Sequence, residues 1–371
     1  MKRGDEKLPK TTNMFVFTVF VLMLASTLMA CSGGEETTGE MGNENTAERE
    51  TQTDGQPEAV DEDGQNGTNQ EETDDNEANT DATYSIPIVS KGFQHQFWQA
   101  VHNGAEQAAD EFGVEITFEG PDTEAQVDKQ LEMLRTALDR DPDAIGFAAL
   151  DSQASIPLLT QAQENDIPVI AFDSGVESDI PVTTAATDNY AAAQEAAEQM
   201  AELIGGEGKV AVIAHDQTSQ TGIERRDGFV ETIENNHPNI ELVDIQYGGG
   251  DHLKSTDAAK AIMQAYPDLD GIFGTNEGSA IGVVNAVKEM NKEGEIVIIG
   301  FDSGQQQIDA IRDGVMAGAI TQNPVGIGYE TVKAAVQAIN GEELPEVIDT
   351  GFFWYDANNL DDEDIQAVIY E

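Results

Sequence analysis

Apolar positions after residue 83 fall into two alternating patterns. Short, unbroken runs such as 85–89, 168–172, 209–214 and 296–301 are rich in β-branched residues, the pattern of strands covered on both faces of a parallel sheet. Between them the spacing turns helical: Phe97, Trp98, Val101, Ala105, Ala108 and Phe112 share one face, as do Val127, Leu131, Leu134 and Leu138. Read in order, this predicts strand 85–89, a helix over 97–112, strand 114–118, helix 127–138, and strands 144–149 and 168–172 around a further helix. The pattern restarts after Asp188 with helix 190–204, strand 209–214, helix 222–235, strand 240–247 and helix 256–266. A second strand–helix–strand unit follows, then strand 318–321 and helix 325–339. Strands alternating with helices in this way predict an α/β fold with parallel sheets.

One unit is written twice. Residues 167–175 read Ile-Pro-Val-Ile-Ala-Phe-Asp-Ser-Gly, and residues 296–304 read Ile-Val-Ile-Ile-Gly-Phe-Asp-Ser-Gly. Upstream, Pro142-Asp143-Ala144-Ile145-Gly146-Phe147 is answered by Pro267-Asp268-Leu269-Asp270-Gly271-Ile272-Phe273. Asp173 and Asp302 thus stand at corresponding strand tips, where open α/β sheets bind ligands. Two similar halves, each offering an acid there, predict a ligand gripped between two lobes. Asp-Ser-Gly is also turn chemistry, so each acid has a second reading as a turn cap. As cleft residues, both are expected to face solvent with no buried partner in the protein.

The 371 residues suffice for two domains of ordinary size, and the single cysteine, Cys31, excludes an intramolecular disulfide framework. Net charge is −53, divided as +2 over residues 1–34, −16 over 35–81 and −39 over the remainder. So acidic a chain is a poor partner for nucleic acid or an anionic membrane surface. Lys2, Arg3, Lys7 and Lys10 precede an apolar run from Met14 to Ala30, the layout of a secretory signal. Leu28-Met29-Ala30-Cys31 resembles the bacterial lipobox, whose cysteine is lipidated after cleavage; an uncleaved anchor is the alternative. Residues 1–30 are therefore expected to be a signal peptide and 31–82 a lipid-anchored, disordered acidic tether, too poor in apolar side chains to fold.

From about 84 to 345 the chain resembles the ribose-type periplasmic sugar-binding proteins, receptors of bacterial ABC importers. The resemblance is carried by Phe97-Trp98, Ile170-Ala171-Phe172-Asp173, Glu224-Arg225-Arg226-Asp227-Gly228-Phe229, Asn276-Glu277, Gly300-Phe301-Asp302 and Thr321-Gln322-Asn323-Pro324. It implies that Phe97 and Trp98 form an aromatic pair sandwiching the sugar. It implies too that Asp173, Arg225, Asn276, Asp302 and Gln322 hydrogen-bond the hydroxyls, which planar polar groups meet two at a time. His95 falls where the ribose receptors have asparagine, Ser174 where they have arginine, and Gly250 where an aromatic residue is expected. Lys91 stands where arabinose-binding relatives place a ligand lysine. A pentose or hexose other than ribose is therefore open. Read from the residues alone, Lys91 and Arg225 each have a second reading as solvated charges. Phe97 and Trp98, being adjacent, are not both expected to face the core.

The fold this implies is two doubly wound parallel-sheet α/β lobes joined by a multi-crossing hinge, the type I periplasmic-binding-protein arrangement. Lobe 1 is expected over 83–187 and 323–351, and lobe 2 over 188–322 and 352–371. The function implied is an extracytoplasmic lipoprotein, monomeric and held to the membrane by lipid only, that hands a neutral monosaccharide to an ABC permease and ATPase. The alternative is a sensor presenting a sugar or quorum signal to a membrane receptor. Neither catalysis nor a cofactor is implied. The five histidines lack ligand spacing, so no metal site is expected. The glycine-rich stretch Tyr247–Ser255 has Leu253 where a phosphate loop needs glycine, and reads as a turn feeding a helix capped near Ser255.

Overall fold

The structure is a computed structural model that describes residues 83–370; the signal-like segment, Cys31 and the acidic stretch lie outside them. In chain order the first elements are β1 (Ser85–Val89), α1 (Gln96–Phe112), β2 (Glu115–Glu119), α2 (Val127–Leu138), β3 (Ile145–Phe147), α3 (Ile156–Glu164), β4 (Val169–Phe172) and β5 (Thr183–Ala186). Next come α4 (Asn189–Leu203), β6 (Gly208–Ala214), α5 (Gln220–Asn236), β7 (Ile240–Tyr247), α6 (His252–Ala265), β8 (Gly271–Gly274), α7 (Glu277–Glu289), β9 (Val297–Phe301), α8 (Gln305–Arg312) and β10 (Gly318–Gln322). The chain closes with α9 (Pro324–Ile339), β11 (Val347–Asp349), β12 (Phe352–Asp356) and the single-turn α10 (Glu363–Gln366).

These strands make two six-stranded sheets, ordered β11-β5-β4-β3-β1-β2 and β12-β10-β9-β8-β6-β7. Every pairing is parallel except β10–β12. Because helices cover both faces, residues of the inner strands β3, β4, β8 and β9 are buried on both sides. Ile86 and Ile88 pack toward α1 and α9, whereas Val89 packs toward α2 and α3. In the second sheet Ile298 faces the cluster of α6, α7 and α8, and Ile299 and Phe301 face α4 and α5. The chain passes between the sheets three times, between Ala186 and Asn189, at Asn323, and between Asp349 and Phe352. After the second passage α9 lies against α1; a Cβ on Gly104 or Gly328 would run into the other helix's backbone, so both glycines are needed for this approach.

Three strands escape the sequence pattern. β5 is Thr-Thr-Ala-Ala, with no apolar run, and is held by its neighbours β4 and β11. β11 and β12 are the short return through the last passage. α6 begins earlier than expected. Asp251, extended at φ −92° and ψ 127°, is its cap and accepts from the Lys254 amide at 2.8 Å. Two left-handed residues, Gly249 and Gly250 (both φ 65°), precede it. Ser255 is buried within the helix and caps nothing. The tail after β12 is shared: Leu360 and Ile365 pack in the second lobe, while Tyr370 joins the first-lobe cluster beside Phe97.

Candidate functional site

The twin acids occupy the same backbone position in the two sheets. Asp173 (φ 54°) and Asp302 (φ 79°) are both left-handed, a conformation that Asp tolerates better than most side chains. The Asp173 amide donates to Ala185 O at 2.9 Å, and the Asp302 amide donates to Ile320 O at 2.7 Å. In each case the next parallel strand fixes the turn at the strand tip.

Between the lobes is a small cavity of about 20 Å³, bounded by eleven residues. All nine ligand residues expected from the sequence lie on it. Lys91, His95, Phe97, Trp98 and Asp173 come from the first lobe, and Arg225, Asn276, Asp302 and Gln322 from the second. Each is at most 5 % exposed, so Lys91 and Arg225 are buried cations and not solvated ones. Lys91 Nζ donates to Thr221 Oγ1 across the cleft at 2.9 Å and lies 3.9 Å from the Asp173 carboxylate. The Arg225 guanidinium is stacked 3.7 Å over the Phe301 ring, with Nε donating to Asn189 Oδ1 and Nη1 to the Thr275 carbonyl. Asn276 caps α7 through the Ser279 amide and keeps its own amide turned to the first lobe.

The aromatic pair differs from the expectation twice. Phe97 and Trp98 both pack in the first-lobe core as well as lining the cavity, because the cleft wall is continuous with that core at the start of α1. Their rings also meet edge to face, with centroids 4.9 Å apart and planes at 83°. Rings in contact at a right angle cannot hold a sugar between them; they form one apolar wall.

The two acids also differ from expectation. Asp302 is not free: Oδ2 accepts from the Glu277 amide at 2.9 Å, and Oδ1 accepts from Gln322 Nε2 at 2.6 Å. It is therefore both a cleft residue and a support for the N-terminus of α7. Asp173 lies 3.9 Å from Lys91, and burial pushes its carboxyl up to about 6, with Lys91 and Arg225 opposing the shift and Glu124 and Asp302 adding to it.

Two cleft residues were not singled out from the sequence, Glu124 and His215. His215 is fully committed, with Nδ1 2.9 Å from Thr275 Oγ1 and Nε2 3.2 Å from Thr221 Oγ1. Burial lowers it to about 3, so it is neutral at ordinary pH. Glu124, on the loop before α2, accepts from Trp98 Nε1 at 2.8 Å and from Asn276 Nδ2 at 3.3 Å. Neither residue belongs to a repeated motif, and a lone Glu among 71 acidic residues carries no sequence signal. On two other lining residues, His95 Nδ1 and Gln322 Oε1 are buried without a hydrogen-bond partner among the described residues. The Gln94 amide donates to His95 Nε2 at 2.8 Å, which leaves the ring hydrogen on Nδ1. A wider trough of about 1130 Å³ runs beside the crossings and shares Asp173, but its other charged lining residues are all acidic.

Two sheet lobes connected by three short passages, with paired donors and acceptors converging from both lobes on one closed cavity, define a protein that closes around a small ligand. The chain belongs to the periplasmic binding protein family, whose domain profile matches residues 86–343. It is 26% identical over 273 residues to the D-allose-binding periplasmic protein of Escherichia coli, covering 71% of this chain and 88% of that one. A ribose import binding protein of Haemophilus influenzae is 26% identical over 260 residues, covering 70% of this chain and 87% of the relative. Among solved structures, an ABC transporter solute binding protein from Agrobacterium vitis with bound D-fucose has a TM-score of 0.75 at 32% identity. That alignment covers 77% of this chain and all of the other. The family is one of binding proteins, and the cleft is a place of capture and release without a reaction.

Proposed function

We propose that this chain captures a neutral monosaccharide, a pentose or hexose, between its lobes and delivers it to an ABC importer as an extracytoplasmic, monomeric lipoprotein anchored through Cys31. The observation that carries the reading is the convergence of buried, partly unpaired polar groups from both lobes on one small cavity, with His95 Nδ1 as a free donor and Gln322 Oε1 as a free acceptor. Sugar hydroxyls, each a donor and an acceptor, answer such a set. The names of the relatives, which specify allose, ribose and fucose, support the same class for this chain. Charge argues for neutrality of the ligand. Asp173, Asp302 and Glu124 outnumber Lys91 and Arg225 in a desolvated space, so a sugar acid or phosphate would meet uncompensated carboxylates. Closure follows from bridging: a ligand held by both lobes favours the closed form, which a permease can distinguish from the open one.

The test is a thermal-shift screen against pentoses, hexoses, polyols and their phosphates, since a ligand of the native state raises the melting temperature. A neutral monosaccharide should stabilise the protein, and tight binding of a sugar phosphate with no neutral ligand would sink the reading. The anchor is tested separately. Cys31→Ser should leave the protein uncleaved or released to the medium, and a cleaved variant that still partitions into detergent would remove the lipid.

A further inference from the structure

Gly250 and Glu124 explain each other. Gly250 stands on the second-lobe wall where the family resemblance implies an aromatic ring. Its φ of 65° disfavours any side chain, and a Cβ built on it would lie 2.8 Å from Glu124 Oε2. The space such a ring would enter is instead filled by a carboxylate reaching over from the first lobe. Glu124 is held there from both sides, by Trp98 Nε1 at 2.8 Å and by Asn276 Nδ2 at 3.3 Å. His95 Nε2 is 3.9 Å away. Burial works to raise this carboxyl, but the opposing effects, Lys91 and the hydrogen bond from Trp98 among them, leave the group below its ordinary value. An ionised carboxylate accepts about four hydrogen bonds, and the protein supplies Glu124 with two. Its remaining acceptor capacity is on a residue that lines the cavity.

We propose that Glu124 is a specificity-determining residue of the cleft, accepting a hydroxyl of the bound sugar at the wall where an aromatic ring would have met ring carbons. The proposal rests on the sugar-binding reading above and deepens it. A site that hydrogen-bonds a hydroxyl rejects the analogue lacking it far more strongly than an apolar wall does, because the buried acceptor is then left unpaired. The ligand class is accordingly a fully hydroxylated monosaccharide at that position, with the matching deoxy sugar excluded.

The experiment measures, by calorimetry, the affinity of the full-length protein for its best monosaccharide and for each single-deoxy analogue of that sugar. Parent protein should reject one deoxy analogue by about a hundred-fold or more. Glu124→Gln, of equal size, should bind the full sugar roughly ten- to a hundred-fold more weakly while leaving affinity for that analogue nearly unchanged, so the discrimination collapses. Glu124→Asp, which keeps the charge but draws it back, should show the same collapse and guards against a folding defect in one variant. If both variants weaken the sugar and all its deoxy analogues equally, or change neither, Glu124 only supports Trp98 and Asn276 and the proposal falls alone. If the parent binds no neutral monosaccharide, the sugar-binding reading falls and the proposal with it.

Discussion

In the first lobe the strand-end acid, Asp173, has one cation 3.9 Å away and, among the described residues, no hydrogen bond to its carboxylate. In the second lobe the corresponding acid, Asp302, accepts from a helix amide at 2.9 Å and a glutamine at 2.6 Å, while Tyr355 Oη donates to its carbonyl at 2.8 Å. The flanking sequence, Phe-Asp-Ser-Gly, the left-handed backbone and the strand-to-strand amide bond are the same. What separates them is the surroundings. Asp302 meets the N-terminus of α7 and the tip of β10, whereas Asp173 meets only side chains of the cleft. A repeated motif thus fixes where an acid stands, and the neighbours decide whether it is structural, ligand-binding or both.

The largest expected effect comes from removing the committed acid. Asp302→Ala leaves the Glu277 amide and the Gln322 side chain as buried donors without an acceptor, which costs about 3 kcal/mol. For a folded part of this size that lowers the melting temperature of the empty protein by roughly 5 °C, and ligand affinity falls as well. Thermal melts without sugar check this. A melting temperature equal to the parent's would mean that the two bonds to Asp302 carry no stability and that the acids are alike.

The contrast was half legible in the sequence. The echo of 167–175 in 296–304 located both acids and implied two lobes, because a strand buried on both faces leaves an unbroken apolar run. Of the nine cleft residues only Asp173 and Asp302 were marked by the repeat; the other seven were reached through the resemblance to the sugar-binding proteins, residue by residue. The partners of Asp302 were not legible, because Glu277 and Gln322 lie 25 and 20 positions away and approach only when β9, β10 and α7 assemble. β5 was illegible for a similar reason, its Thr-Thr-Ala-Ala being a strand by virtue of its neighbours. The edge-to-face arrangement of Phe97 and Trp98 depends on rotamers set by Phe172 and Tyr370, which surround them in space.

Asp173 should behave in the opposite sense. Its carboxyl sits at about 6 against an ordinary 3.8, so at pH 7.5 the folded protein bears the cost of a desolvated charge. That cost is about 3 kcal/mol. Asparagine imitates the protonated acid, so Asp173→Asn should stabilise the empty protein at pH 7.5 while weakening sugar binding. The pH dependence has a definite sign. As pH falls through about 6 the folded form takes up a proton that the unfolded chain takes up only near 3.8, so this group adds stability between those values. His215 works against it: held near 3 in the fold against 6.5 unfolded, it removes stability as pH falls through 6.5. The difference between parent and Asp173→Asn isolates the acid, and should shrink from pH 7.5 to pH 4. A difference that stays constant with pH would place Asp173 in contact with water or a stronger cation.

The smallest expected effect tests how far the committed acid reaches. α1 has no cap from its own N-terminal residue His95 and no acid in its first turn. Instead Glu277, at the start of α7 in the other lobe, accepts from the Gln96 and Phe97 amides at 3.3 and 3.4 Å. A carboxylate at the positive end of a helix typically contributes about 0.3–1 kcal/mol, and this one can act only when the lobes are closed. Asp302 holds the Glu277 amide, so the second-lobe acid supports a bridge that the first-lobe acid has no counterpart for. Glu277→Gln keeps an acceptor and loses the charge. It should shift the empty protein toward the open form and weaken the sugar about two- to five-fold, with the melting temperature changed by less than about 3 °C. Small-angle scattering of the empty variant should show a larger radius than the parent, and raising the salt should narrow the gap in affinity. If radius and affinity both match the parent, the long bonds from α1 contribute nothing to closure, and the influence of Asp302 ends at the helix it supports.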